Sequence, residues 1–323
     1  MRLNRTRACI FIFLAGLAAG AAHADTYPSH SIRMIVPSTS GGLQDVLARK
    51  IGEGLTRRLG QPVIVENHAG ANGAIGTNLI AKAVPDGYTI GMATPGTLST
   101  DTLLQPNLPY DPARDIQPLT LAIRTPVVLV VNAKFPAKSV KDFVAYAKAH
   151  PNTVTVANGG LGSSQFVSAR LFEKLAGVKL VEVAYQGGAA AMPDLVSGRV
   201  SAYLNSPLDI MPFIRSGQLR ALAVGSPERL AALPHVPTLR EEGIEGFDFS
   251  AWYGLVAPKG IPAPVLKTLN ENIVAIMKSP DVRAMMAKMD YEIVADTPEQ
   301  FRDEIKKEVA IDSSVLQKAA AHR

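Results

Sequence analysis

The sequence predicts an α/β protein of two lobes, each a mostly parallel sheet flanked by helices, joined by two hinge strands. Short β-branched runs alternate with helical stretches along the chain, and this alternation is typical of parallel sheets covered by helices on both faces. The alternating pattern occurs twice in the same style, without an internal sequence repeat. Two apolar runs, "TPVVLVV" and "WYGLVAP", are suited to connect the two units. Two such units joined by two crossovers indicate a cleft between them.

Residues 1–24 are predicted to be a signal peptide that is not part of the fold. Three arginines precede the apolar run "CIFIFLAGLAAGAA", which is too short to span a bilayer well, and an A-x-A motif ends at Ala24. Such a peptide directs export, and cleavage after Ala24 would make Asp25 the first residue of the mature protein.

The charge balance of the remaining chain argues against nucleic-acid binding. The whole chain has 33 basic and 28 acidic residues, and the predicted signal peptide carries three of the arginines. The remainder is close to neutral and has no dense Lys/Arg tract. The single cysteine, Cys9, also lies in the signal peptide, so disulfides and thiol chemistry are not expected in the mature protein.

The first unit contains three predicted strands and two predicted helices. The first helix is indicated by Leu47, Ile51, Leu55 and Leu59, which recur every four residues. The second helix lies within "GAIGTNLIAKAV". The strands are predicted at 32–37, 62–67 and 88–93.

The second unit begins with a continuous apolar strand from Val127 to Val131. Ser139 and Asp142 have the spacing of an N-cap and its N3 acid, and Pro151 closes the helix that they open. Further strands are predicted at 154–158, 180–185, 200–205, 220–225 and 252–258. Further helices are predicted from about 164, from about 189, and at 207–216 and 264–278, with a last helix opened by Thr297-Pro298-Glu299-Gln300. This division predicts lobe I at 25–124 and 256–323, and lobe II at 125–255.

Four junctions between a strand and the next helix are rich in glycine and small polar residues. They are "IVPSTSGGLQDVLARKI", "ENHAGANGAIG", "ANGGLGSSQF" and "AYQGGAAAM". In an open parallel sheet such loops lie in the crevice beyond the carboxyl ends of the strands. There they present backbone N–H groups and the positive ends of helix dipoles, a chemistry that suits a small carboxylate. The alternative is that each glycine serves only a tight turn or an N-cap.

The sequence lacks the motifs of the common enzyme and cofactor sites. Gly160 and Gly162 begin a G-x-G-x-x-G pattern, but Gln165 stands where its third small residue is expected. The chain has no G-x-x-x-x-G-K-[ST] and no G-x-S-x-G. The histidines do not pair at metal-ligand spacing. We therefore expect no catalytic residue, no cofactor and no metal. Trp252 lies on the second crossover, where it packs into the hinge or core or, alternatively, forms an apolar wall of the cleft.

Eight segments, in order along the chain, resemble those of Bug/TctC-type proteins, the extracytoplasmic solute receptors of tripartite tricarboxylate transporters. The segments are "YPSHSIRMIVPSTSGGLQDVLAR", "LGQPVIVENHAGANGAIG", "PDGYTI", "LPYDPARDIQPL", "VEVAYQGGAAAMPDLVSGRV", "GQLRALAV", "RLAALPHVPTLREEGI" and "WYGLVAPKGIPAPV". The resemblance implies a type II periplasmic binding protein that holds a carboxylate with backbone N–H groups and water. It also implies a membrane permease as the partner, and we expect a monomer.

The resemblance also implies the positions of the ligand-binding residues. In lobe I they are Ser38, Thr39, Ser40, Gly41, Gly42 and Asp45, and, within the loop from Ala69 to Gly73, Ala69, Gly70, Ala71 and Gly73. In lobe II they are Gly160, Gly162, Ser163, Ser164, Gln165, Gln186, Gly187, Gly188, Asn205 and Asp209. Asp45 is expected not to touch the anion, because like charges repel, but to accept hydrogen bonds from nearby N–H groups or to position a water.

The sequence departs from the family pattern at three places in these loops. Ser38-Thr39-Ser40 replaces an aromatic and proline-containing stretch, Gln165 stands where a histidine is usual, and Gln44 replaces a small polar residue. The identity of the carboxylate therefore cannot be transferred from a relative. Gly41→Val or Gly70→Val is expected to remove binding without unfolding the protein.

Three functions are compatible with the sequence. The first is a receptor that closes on a small carboxylate and delivers it to a permease. The second is a sensor that presents the same closed form to a membrane signalling protein. The third is a secreted hydrolase, which needs a nucleophile with a positioned base. The serine-containing cleft loops have no histidine, and His68, beside the second loop, is expected to have a surface or capping role.

Overall fold

A computed structural model describes residues 27–185, 188–247 and 249–320. The predicted signal peptide, residues 1–24, lies outside the described residues, and so do Gln186 and Gly187 of the predicted site. No helix in the described ranges is long and apolar enough to cross a membrane.

The first sheet has six strands in the order β11-β4-β10-β3-β1-β2. Strands β1, β2 and β3 pair in parallel, and β10 is antiparallel to both β3 and β4. It follows that β4 runs in the same direction as β1, β2 and β3. The strands are β1 (Ile32–Val36), β2 (Val63–Asn67), β3 (Thr89–Ala93), β4 (Ile116–Pro126), β10 (Ser250–Pro258) and β11 (Glu292–Ile293).

The second sheet has five strands in the order β7-β6-β8-β5-β9. Strands β6, β7 and β8 pair in parallel, and β5 is antiparallel to both β8 and β9. Apart from the short edge strand β11, each sheet thus has four strands in one direction and one reversed strand in the same place, which confirms the predicted pair of mostly parallel sheets. The strands are β5 (Val128–Asn132), β6 (Thr155–Asn158), β7 (Val181–Ala184), β8 (Ala202–Asn205) and β9 (Leu219–Val224).

Helices cover both sheets, as the alternating pattern predicts. They are α1 (Leu43–Leu59), α2 (Ala74–Ala81), α3 (Asp101–Leu104), α4 (Pro112–Asp115), α5 (Val140–Ala149), α6 (Ser164–Ala176), α7 (Met192–Ser197), α8 (Pro207–Arg215), α9 (Ala263–Met277), α10 (Pro280–Ala287) and α11 (Pro298–Ala320). Short 3₁₀ segments at Ala71–Gly73 and Gly188–Ala191 precede α2 and α7, and a π-helix at Gly96–Thr100 precedes α3.

Strand β5 shows why the second lobe has a continuous apolar strand. Leu129 and Val131 pack into the core on one face of the sheet, whereas Val128 and Val130 pack into the core on the other. Both faces are buried, so the usual alternation of apolar and polar residues is absent.

The chain crosses between the sheets at two places. The first crossing is the step from β4 to β5 at Val127, and the second lies between β9 and β10. The predicted division at 255 remains a prediction, but the structure places every residue of β10 from Ser250 onward opposite β4 in the first sheet. The two predicted hinge strands therefore correspond to 125–131, which runs from the end of β4 through Val127 into β5, and to 252–258 in β10.

Trp252 packs into the core of the first lobe and does not form a wall of the cleft. It is 1% exposed, and its ring meets Phe301 of α11 edge-on at 5.2 Å. Its indole Nε1 donates to Glu308 Oε2 at 3.3 Å. Of the two predicted roles, the hinge-and-core role is confirmed.

Candidate functional site

The first glycine-rich loop connects β1 to α1 and is anchored to the end of β2. Asn67 Nδ2 donates to the carbonyl of Ser38 at 3.2 Å, and Arg49 Nη2 donates to Asn67 Oδ1 at 3.1 Å. Gly41 has φ +88°, and a Cβ added there would have no other atom within 4 Å. Thr39 to Gly42 are exposed, so this loop lies at the surface of the protein.

Asp45 holds this loop together from the first turn of α1. Its buried carboxylate accepts hydrogen bonds from Gly41 N at 2.9 Å, Ser40 Oγ at 3.2 Å and Arg49 Nε at 3.1 Å. Burial opposes ionisation, but the contacts with Arg49 and Gly41 outweigh it, and the pKa of Asp45 falls to about 2. The bond from Gly41 agrees with the expected role as an acceptor for nearby N–H groups.

Asp45→Ala is expected to destabilise the protein by about 1–3 kcal/mol at pH 7, because Gly41 N, Ser40 Oγ and Arg49 lose the charged acceptor that they share. The contribution of Asp45 is fully present above its ordinary pKa and is lost as the pH falls towards 2. The measurement is urea unfolding of variant and wild type. Asp303→Ala, at an exposed ion pair with Lys306, is the control and should change stability by less than about 0.5 kcal/mol. An equal loss of stability in both variants would contradict the role of Asp45 in holding the loop.

The second loop, between β2 and α2, has an unusual backbone. Gly70, Ala71, Asn72 and Gly73 have φ values of +129°, +47°, +53° and +96°. Ala71 and Asn72 are not glycine, so their left-handed conformations store strain, which is common at functional sites. The run of positive φ values turns the Asn72 side chain towards α3, where Nδ2 donates to Asp101 Oδ1 at 3.3 Å.

A third loop of lobe I, between β3 and the π-helix, belongs to the site although the sequence reasoning did not select it. Thr94 and Gly96 line the cavity between the lobes. A Cβ added at Gly96 would lie 2.9 Å from Asn72 Nδ2 and 3.3 Å from the carbonyl of Gly162. The signal was available, because Gly96 follows the third strand as the other loop glycines follow theirs.

In lobe II the loop between β6 and α6 presents a helix N-terminus to the cleft. Ser163 is the N-cap, and its Oγ accepts from Phe166 N and Gly159 N, each at 3.1 Å. Gly160 N donates to Asn158 Oδ1 at 2.9 Å. These hydrogen bonds therefore fix the loop that precedes the first turn of α6.

The two lobes touch at Gly162. A Cβ at this glycine, which has φ +82°, would lie 3.0 Å from Asp101 Oδ1 and 3.2 Å from Asn72 Nδ2. Only a residue without a side chain can approach the first lobe this closely. Asp101 is 1% exposed, and burial raises its pKa to about 6, with hydrogen bonds from Asn72 and Gln105 opposing the rise.

This contact closes one side of a cavity of about 150 Å³ between the lobes. The lining residues come from lobe I, both hinge strands and lobe II. They are Asn72, Thr94, Gly96, Thr125, Val127, Gly162, Ser163, Ser164, Gln165, Asn205, Ser206, Ala251 and Tyr253. The lining is rich in hydroxyl and amide groups, and none of these residues carries a charged side chain.

Five of the predicted site residues line the cavity, all from lobe II. They are Gly162, Ser163, Ser164, Gln165 and Asn205. Most of the others do not line it, and their part in binding stays a prediction. Those are Ser38, Thr39, Ser40, Gly41, Gly42, Asp45, Ala69, Gly70, Ala71, Gly73, Gly160 and Asp209. Sequence reasoning selected the neighbours of Asn72 but not Asn72, and it did not select the hinge residues.

The polar wall of lobe II is a chain of three side chains. Gln165 Nε2 donates to Asn205 Oδ1 at 3.0 Å, and Asn205 Nδ2 donates to Asp209 Oδ2 at 2.9 Å. Asp209 stands in the first turn of α8, where the helix dipole favours a negative charge. Burial raises the pKa of Asp209, and the bond from Asn205 opposes this. Asp209 therefore lies one hydrogen bond behind the cavity wall.

Comparison with known proteins gives a consistent picture. Residues 47–320 match the family model described as tripartite tricarboxylate transporter family receptor. The chain is 37% identical over 324 residues to Protein BugT of Bordetella pertussis, with 99% of each chain covered. It is 32% identical to R. palustris Rpa4515 with adipate, at a TM-score of 0.83 and with 91% of this chain and 98% of that chain covered. It is 31% identical to MatC from Rhodopseudomonas palustris with bound malate, at a TM-score of 0.80 and with 90% and 100% covered.

Proposed function

The chain belongs to the tripartite tricarboxylate transporter receptor family, and we propose that it binds a small carboxylate between its lobes and delivers it to a membrane permease. The observation that carries this proposal is the cavity of about 150 Å³ between the two lobes, with hydroxyl and amide groups on its wall. The carboxylates named for Rpa4515 and MatC, adipate and malate, support the same class of ligand.

The carboxylate is expected to bind at the N-terminus of α6. This helix has 13 residues, and its dipole places about half a positive charge at Ser163, Ser164 and Gln165. Hydrogen bonds to a charged group contribute about 1.5–3 kcal/mol each, so four or five of them reach the roughly 8 kcal/mol of micromolar binding. An arginine is not needed.

Closure of the lobes would make the bound state recognisable to a partner. A ligand that contacts both lobes stabilises the form in which Gly162 meets Asn72 and Asp101. We propose that a permease subunit binds this form, in the periplasm after cleavage at Ala24, and that the receptor acts as a monomer.

We also propose that the protein is not an enzyme. The described lining residues include three serines but no histidine, lysine or carboxylate that could act as a base beside them. Turnover of a chromogenic ester, abolished by Ser164→Ala, would favour the hydrolase alternative.

A thermal-shift screen tests the binding proposal. The panel contains mono-, di- and tricarboxylates and aromatic acids, with the corresponding uncharged amides as controls. A ligand at about one hundred times its dissociation constant stabilises the native state by roughly 2.7 kcal/mol, which raises Tm by about 4 °C in a chain of this size. The proposal fails if no carboxylate in the panel raises Tm more than its amide does.

A further inference from the structure

Building on the proposed function, we infer that the ligand carries one carboxylate and, at its other end, an uncharged hydrogen-bonding group, and that Asp209 is the positioning residue that sets this preference. Adipate and malate, named for the two relatives, both carry two carboxylates. The inference rests on the charge of the cavity wall, the hydrogen bonds behind it and the size of the cavity.

The wall matches a single negative charge. No lysine, arginine or histidine is among the described lining residues. The positive end of α6 supplies about half a charge, which is enough for one carboxylate that also receives hydrogen bonds from N–H and hydroxyl groups. A second carboxylate would lose its hydration without a cation among the described lining residues to replace it, and Asp209 already occupies the first turn of α8.

The hydrogen bonds behind the wall reduce its capacity to bind a second anion. An ionised Asp209 can only accept, so it fixes Asn205 with Nδ2 towards α8 and Oδ1 towards Gln165. One N–H of each amide is used within the wall. The remaining mixture of amide N–H and carbonyl groups suits a hydroxyl, carbonyl or carboxamide better than a carboxylate.

No described cation neutralises the charge of Asp209. Among the described residues its carboxylate accepts one hydrogen bond, from Asn205, and burial raises its pKa. Its field reaches the cavity wall, because repulsion from Asp209 adds to burial in raising the pKa of Tyr253. Two like charges roughly 8 Å apart at an effective dielectric constant of about 20 weaken binding on the order of thirtyfold.

The size of the cavity limits the length of the ligand. A volume of about 150 Å³ holds a molecule about as large as benzene. Acids of roughly three to five carbons fit this volume, whereas a tricarboxylate the size of citrate does not fit without opening the lobes.

Isothermal titration of matched acid and monoamide pairs tests the inference. The pairs are malonate with malonamate, succinate with succinamate, and glutarate with glutaramate, in which one carboxylate is replaced by a carboxamide of the same shape. We expect the best monoamide to bind at least tenfold more tightly than its diacid. A diacid that binds as tightly as its monoamide overturns the inference and leaves the proposed function intact. Absence of binding by every carboxylate, in this set and in the thermal-shift panel, overturns the proposed function itself.

Asp209→Asn separates a charge effect from a structural one. The carbonyl oxygen of the introduced amide can still accept from Asn205, so the wall keeps its hydrogen bonds while the charge is removed. We expect diacid affinity to rise at least fivefold and monoamide affinity to change less than twofold. Equal changes for both ligands would indicate a merely structural role and overturn the assignment. The matched control is Asp303→Asn on α11, which removes the same charge at an exposed position and should leave both affinities unchanged.

Discussion

Gly162→Leu is expected to weaken carboxylate binding at least about a hundredfold, which corresponds to roughly 2.7 kcal/mol. A side chain here would enter the contact between the lobes, since its Cβ alone would lie 3.0 Å from Asp101 Oδ1 and 3.2 Å from Asn72 Nδ2. Both neighbours are held by their mutual hydrogen bond, so neither can move without losing it. The lobes would close less far, and the donors of α6 would no longer face those of Asn72 and Thr94. Isothermal titration with the best ligand of the thermal-shift panel measures the loss.

Gly160→Leu is the matched control for this substitution. Gly160 has φ +97°, close to the +82° of Gly162, so a leucine at either position suffers similar backbone strain. Space is open at Gly160, where the nearest atom to an added Cβ is the carbonyl oxygen of Tyr185 at 4.0 Å. The control should therefore lose similar stability but much less affinity. If both variants lose affinity equally, strain in the loop and not contact between the lobes is the cause.

Glu308→Gln is expected to stabilise the protein at alkaline pH by a few kcal/mol. Glu308 lies on α11 beneath the hinge strand β10, 6% exposed, and accepts from Trp252 Nε1. Burial, with repulsion from Asp312 in addition, raises its pKa to about 8. Glutamine keeps an acceptor for Trp252 and never carries the buried charge, so it avoids the cost of ionisation.

The sign of this effect follows from proton linkage. Between the ordinary carboxyl pKa near 4.5 and about 8, the native state holds a proton at Glu308 that the unfolded state has released. Wild-type stability therefore falls through this window as the pH rises, and the loss is complete above it. A shift of one pK unit corresponds to 1.36 kcal/mol. The free energy of unfolding of Glu308→Gln, relative to that of the wild type, should therefore increase by about 2–4 kcal/mol between pH 5 and pH 8.5.

Urea unfolding of both proteins at the two pH values measures this difference, in which the titration of all other groups cancels. Glu304→Gln on the same helix is the control, because Glu304 forms an ion pair with Arg124 at 2.8 Å and its replacement removes a favourable contact. An advantage of Glu308→Gln that stays constant from pH 5 to pH 8.5 would show that Glu308 is already ionised in the native protein at pH 5, so that its pKa is not raised.

Most helices and strands could be predicted because their patterns depend on local burial. The four-residue spacing from Leu47 to Leu59 predicts α1, and the structure places that helix at Leu43–Leu59. Strand β4, the longest of the described strands, was not predicted. It contains Pro118, which sits opposite Val256 where the register with β10 shifts. A proline is tolerated at such an irregularity, but only the partner strand reveals that the irregularity is there.

The sequence predicts the type of site, but it identifies only some of the residues that line it. Small residues at the ends of parallel strands indicate an anion-binding crevice, and the loop at Gly162 to Gln165 lines the cavity. Thr125 and Tyr253 come from the hinge strands and have no loop motif of their own. Asn72 and Gly96 reach the cavity only because the left-handed run from Gly70 to Gly73 and the π-helix turn them there.

The sequence by itself determined the class of the fold and the use of uncharged donors, because periodicity and glycine spacing are local properties of the chain. It determined the family through eight ordered segments that resemble those of other members. The tertiary structure decided which donors face one another, because that depends on how far the lobes close. It placed Gly162 against Asn72 and Asp101, and Asp209 behind Asn205. Those contacts join residues far apart in the chain, and no local pattern encodes the distance between them.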